Sequence, residues 1–176
     1  MIDDKDIPEE VKGGLVPEID PKKLFDEKEY STLIIGENGV SKKDTNNADF
    51  LAIIVSPDRT REDKDEALKS LKENNAQTFM LSAIAKTKKP EQKALLIAAC
   101  WETGLDFSEN YLTFIDAICS DNFHVSFEAF TVIQEMEAEI PKDTLEKARI
   151  ILNKVTNPGV SVSDAKELIE GKLNLE

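Results

Sequence analysis

Helix-breaking residues recur along this chain at intervals of one short helix, and that spacing constrains the fold more than any other feature. Pro57, Asn74-Asn75, Pro90, Gly104, Pro141 and Asn157-Pro158-Gly159 divide residues 48–173 into segments with helical periodicity. The spacing predicts a helix over 50–56, closed by Pro57. Thr60 and Asp63 have the spacing of a capping box and open a helix over 61–73. A helix over 77–86 follows, and Pro90 at a first-turn position opens 91–103, which Gly104 stops. Asp106 is expected to cap a helix reaching 119, and Asp121 another reaching 139. Pro141 opens a helix to 155, and Ser163 caps a last one ending near Leu173. Connections this short make neighbouring helices antiparallel and leave no room for a crossover between parallel strands. The expectation is an all-α protein.

Residues 1–47 have a different character. They hold four of the seven glycines and three of the seven prolines, so regular helical hairpins are not expected there. Pro21 after Asp20 reads as the start of a short helix over 21–30. Leu33-Ile34-Ile35 before Gly-Glu-Asn-Gly reads as a short strand with a turn, and 41–47 as a polar loop. The organisation predicted is an arm over 1–47, packed through Leu24, Phe25, Leu33 and Ile35 on a helical-repeat domain over 48–176.

Within the body, the second helix of each pair carries an alanine at a fixed step. Ala67, Ala98 and Ala129 are 31 residues apart, and Ala165 follows after 36. The next residues, Leu68, Ala99 and Phe130, are apolar, and the first helices carry aromatics at Phe50, Phe79 and Tyr111. Small residues at a fixed place permit close helix packing, and a fixed period signals stacked helical pairs. In Asp121-x-x-x-Val125-x-x-x-Ala129, and more loosely in Pro90-x-x-x-Ala94-x-x-x-Ala98, the chain resembles the HEAT/armadillo superfamily, especially its short repeats of roughly thirty residues. It departs from that pattern at Ser126, where an arginine is usual, and at Glu102, which falls where the neighbouring repeats have Leu71 and Ile133. The resemblance implies a right-handed α-α superhelix of about four helical pairs, with the second helices lining a concave face where partners dock.

Helical spacing places His124, Glu128, Thr131 and Glu135 on one stripe of the third such helix, opposite Val125, Ala129, Val132 and Met136. The same 31-residue step yields Lys93, Ile97 and Cys100 on the second helix and Glu62, Glu66 and Lys69 on the first. The predicted partner-binding set is therefore Glu66, Lys69, Lys93, Ile97, His124, Glu128, Thr131 and Glu135, with Ile97 an apolar centre between two carboxylates. A competing reading remains open. Residues 94–101 are apolar all round, which suits a central helix buried on every side, and the arm would then fill the groove.

Charge narrows the partner. Between residues 94 and 141 there is no lysine or arginine but nine acidic residues, and the whole chain has a net charge of −13. Such a surface repels nucleic acid and anionic membranes and favours cationic, basic or basic–hydrophobic protein segments. The acidic opening Met-Ile-Asp-Asp lacks the pattern of a secretory signal, and Cys100 and Cys119 read as buried thiols of a reducing compartment, so the expected location is the cytoplasm.

Catalytic signatures are weak. His124 and Glu128 stand i, i+4 without further ligands at metal-site spacing, and Gly36-Glu-Asn-Gly39 lacks the lysine of a phosphate loop. No cofactor or metal is expected. The reading is a non-catalytic interaction module. Its alternatives are an immunity or antitoxin protein that neutralises a cationic toxin, and a metal- or carboxylate-dependent enzyme in the acidic cleft.

Overall fold

The computed structural model describes residues 42–156 and 158–174. Among them it is all-α, with eight α-helices and no strand. The helices are α1 (Lys42–Val55), α2 (Arg61–Glu73), α3 (Gln77–Lys86), α4 (Pro90–Thr103), α5 (Tyr111–Ile118), α6 (Phe123–Gln134), α7 (Lys142–Asn153) and α8 (Val160–Asn174), with a 3-10 turn at Ser108–Asn110 leading into α5. The expected helix 21–30, the strand at Leu33–Ile35 and the arm contacts of Leu24, Phe25, Leu33 and Ile35 lie outside the described residues.

Most helix ends follow from local chemistry. The Thr60 hydroxyl accepts from the Asp63 amide at 3.1 Å, and the Asp63 carboxylate accepts from the Thr60 amide at 3.2 Å, completing the capping box of α2. Asn75 ends that helix in the left-handed region at φ 49°. Gly104 ends α4 at φ 59°, where a side chain would be strained and its Cβ would stand 3.3 Å from the Lys72 ammonium.

Several ends differ from the sequence expectation. Asp106 caps no α-helix: α5 begins at Tyr111, after the 3-10 turn, and Asp106 instead accepts from the Ser108 amide. Residues 42–47, read as loop, belong to α1, so the expected boundary between 47 and 48 falls inside a helix. Asn47 is buried there, and its side-chain oxygen accepts from the Asn74 amide at 2.8 Å, a contact between residues far apart in sequence. The cap of α6 is Asn122 rather than Asp121, accepting from the Val125 amide at 3.1 Å. That helix stops at Gln134 instead of 139, because Glu135, Glu137 and Glu139 would crowd carboxylates onto the negative end of the helix dipole. Ser163 lies inside α8, which begins at Val160, and its hydroxyl donates back to the Gly159 carbonyl at 3.3 Å.

The helices pair as α1 with α2, α3 with α4, α5 with α6 and α7 with α8, each pair in contact. The second members form a row: α2 packs on α4, α4 on α6, and α6 on α8. Among the first members, α1 packs on α3 and α5 on α7. One continuous apolar core runs between, from Leu51 through Ile97, Phe114 and Ile133 to Ile169. Phe107 and Phe114 meet edge to face within it at 5.8 Å. No described helix is long and apolar enough to cross a membrane. Of the two expected buried thiols, Cys100 is buried and Cys119 only half-buried.

Tyr111 is fully buried, and its hydroxyl has no hydrogen-bond partner among the described residues. Burial pushes its phenol from 10.0 up to about 12. A raised acid pKa means that the folded state holds the proton more tightly, so this stability is present below pH 10 and lost as pH rises through about 12. Tyr111→Phe removes an unsatisfied buried donor and should raise stability at pH 7 by about 1 kcal/mol. Thermal melts from pH 7 upward should also show a smaller alkaline loss in the variant. A less stable variant at pH 7, or an unchanged alkaline loss, would contradict this account of the site.

A candidate docking face on the second helices

The face in question is set by which side of α4 turns inward. Ala94, Leu96, Ile97, Ala99, Cys100 and Thr103 are all buried. Ile97 is 0% exposed, so it is not the surface centre of the expected row. The alanine that belongs with the buried Ala67, Ala129 and Ala165 is Ala99, since Ala98 is only half-buried. A shift of one residue is about 100° of helical rotation, enough to exchange surface for core. Leu71, Thr103, Ile133 and Ile169, each four residues after one of these alanines, are all buried. Glu102 occupied that place only in the alignment through Ala98, and this charged residue among apolar equivalents was the signal of the slip.

Trp101 therefore comes to the surface beside the α6 stripe. It is 40% exposed, and its indole N–H donates to the Glu128 carboxylate at 3.2 Å, tying α4 to α6. On α6 the predicted stripe does face outward: His124 and Glu135 are exposed, and Glu128 and Thr131 half-buried. Opposite them Val125, Ala129 and Val132 are buried. The Thr131 hydroxyl donates to the Phe127 carbonyl at 3.2 Å. Phe127 is 47% exposed and stacks on the exposed Phe123, whose ring also meets that of His124 at its edge. Glu66 and Lys69 are exposed on α2, Lys69 reaching Glu73 at 4.0 Å, and Lys93 is half-buried on α4. Sequence reasoning thus found the α6 stripe but missed Trp101, Phe123 and Phe127.

Two clefts flank Trp101. One, of about 390 Å³, lies between α2 and α4 and carries mixed charge: Arg61, Asp65, Lys69, Lys72 and Glu102. Arg61 bridges it, reaching Asp65 at 2.9 Å and Glu102 at 3.6 Å. The other, of about 510 Å³, lies where α4 and α6 end. Its lining combines Phe107, Val132 and Met136 with the carboxylates of Asp106, Glu135 and Glu137. The Ser108 amide donates to Asp106 at 2.9 Å, and this hydrogen bond, with one from the Ser108 side chain, holds the Asp106 carboxyl below its ordinary range. Neither α4 nor α6 has a basic residue in its last turn, so the negative ends of both helix dipoles add to these carboxylates.

Among the described residues no three histidine, cysteine or acidic side chains are grouped to hold a metal ion. Burial raises the thiol pKa of both Cys100 and Cys119, so both are held as thiols rather than nucleophilic thiolates. Ser126, where the resemblance implies an arginine, is buried, and its hydroxyl donates to the Ile118 carbonyl at 2.7 Å. An arginine in that position would be a buried charge without a partner. The chain matches no family model, no curated protein and no solved structure.

The rotation of α4 can be tested by overpacking. Ala99→Leu should destabilise the protein by about 1–3 kcal/mol in urea denaturation, and Ala98→Leu by less than about 1 kcal/mol. Equal losses, or the reverse order, would show that α4 is rotated differently.

Proposed function

We propose that this protein is a non-catalytic interaction module, and that the face formed by α2, α4 and α6 binds a basic or basic–hydrophobic protein segment. In this reading the helical pairs wind as a right-handed superhelix of the HEAT/armadillo kind. The row of second helices, each packed on the next, supports it. The observation that carries the functional reading is the surface around Trp101. Exposed Trp101 donates its indole N–H to Glu128, and exposed Phe123 and Phe127 lie on the helix that carries Glu128 and has Glu135 as its C-terminal cap, all in a stretch of sequence with no lysine or arginine.

Exposed aromatics bordered on one side by carboxylates suit a docking surface: the rings supply contact area, and the charge selects the partner. The corrected centre of the row strengthens the reading. An apolar aliphatic residue at position 97 would offer contact area alone, whereas Trp101 offers area, a hydrogen-bonding edge and a π face.

The test is the affinity of a lysine- and arginine-bearing amphipathic peptide at two salt concentrations. Raising salt from 0.15 M to 1 M shortens the screening length from about 8 Å to about 3 Å. Binding should weaken accordingly, and Glu128→Lys with Glu135→Lys should weaken it at least about tenfold, or ~1.4 kcal/mol. Affinity that survives both changes would overturn the proposal.

A further inference from the structure

Resting on that reading, we infer that the cleft at the ends of α4 and α6 is an anchor for a single arginine side chain of the partner, stacked on Trp101 and paired with the carboxylates of Asp106, Glu135 and Glu137. The cleft has the size of an ordinary ligand pocket, about 510 Å³. Its described lining is of one sign, since Asp106, Glu135 and Glu137 are its carboxylates and no described basic side chain belongs to it. Two helix C-termini converge there without basic residues in their last turns, adding the negative ends of their dipoles to the field. The apolar part, Phe107, Val132 and Met136, suits the methylenes below a charged head group.

Arginine fits this chemistry better than lysine. The carboxylates are spread around the cleft, and a planar guanidinium with five donors can meet more than one of them while lying against an indole. Glu128 accepts from the indole N–H and so fixes the ring plane that the guanidinium would meet. A lysine ammonium would keep the charge attraction but lose the fork and the stacking. The neighbouring cleft between α2 and α4 already contains Arg61, Lys69 and Lys72 and does not call for a cation.

Trp101 is the chain's one tryptophan, so its emission reports on this cleft directly. The experiment titrates the full chain with two amphipathic helical peptides of identical sequence, one with arginine and one with lysine at every basic position. The arginine peptide should change Trp101 emission and bind several-fold more tightly than the lysine peptide. Trp101→Leu should abolish that preference while leaving salt-sensitive binding of both peptides. Asp106→Asn, which keeps the acceptor for the Ser108 amide, combined with Glu137→Gln should reduce the preference without altering the fold. Equal affinities and an unmoved emission would overturn the anchor while the broader reading stood. Absence of binding by either peptide would overturn both.

Discussion

The rotation of α4 about its own axis is the constraint on which the rest depends. This helix touches α1, α2, α3 and α6, so each of its faces has a neighbour or the solvent assigned to it. Burying Ala99, Cys100 and Thr103 leaves Leu95 and Trp101 outside. The small side chain of Ala99 and the short hydroxyl of Thr103, which donates to the Cys100 carbonyl at 2.9 Å, let neighbouring helices approach a residue pair that a bulky or charged side chain would hold apart. The same rotation aims the indole at Glu128 and opens a cleft on each side of it. One packing choice in the core thus sets both the position of the tryptophan and the charge around it.

Electrostatics then separates the two sides of that tryptophan. Toward α2, lysines and Arg61 stand among Asp65 and Glu102, and Arg61 pairs with both carboxylates. Toward α6, the base-free stretch of sequence supplies carboxylates, no described basic residue lines the cleft there, and the helix ends point the same way. Like charges held together without counterions oppose the compact state modestly at the surface, where water and salt screen them. A cationic partner would relieve that repulsion on binding, which is why the acidic side rather than the mixed side is proposed as the selective part of the face.

What the sequence made legible was whatever depended on neighbours along the chain. The Thr60–Asp63 box, Pro90 at the start of α4 and Gly104 at its end act within one helical turn, and each appears as expected. The start of α1 was hidden because a polar run, Lys-Lys-Asp-Thr-Asn-Asn, reads as loop, while Asn47 is held in place by Asn74 from another helix. The α6 stripe was visible because Val125, Ala129 and Val132 recur at helical spacing against charged residues. Helix α4 was harder: alanines stand side by side at 98 and 99, and apolar residues on every side leave no amphipathic signal for choosing between them. Glu102 among apolar equivalents carried the missing information, since a charged side chain in a core position argues against the register that puts it there.

The most direct test of the account is to map the bound peptide on the protein itself. Two-dimensional amide NMR, recorded during titration with a basic amphipathic peptide, reports every backbone position and the Trp101 indole N–H separately. The account predicts that shifts concentrate at that indole signal and along α4 and α6, at Glu128, Thr131 and Glu135. Shifts centred instead on the exposed apolar residues of the last pair, Ile150 and Val160, or no shifts at saturating peptide, would contradict it.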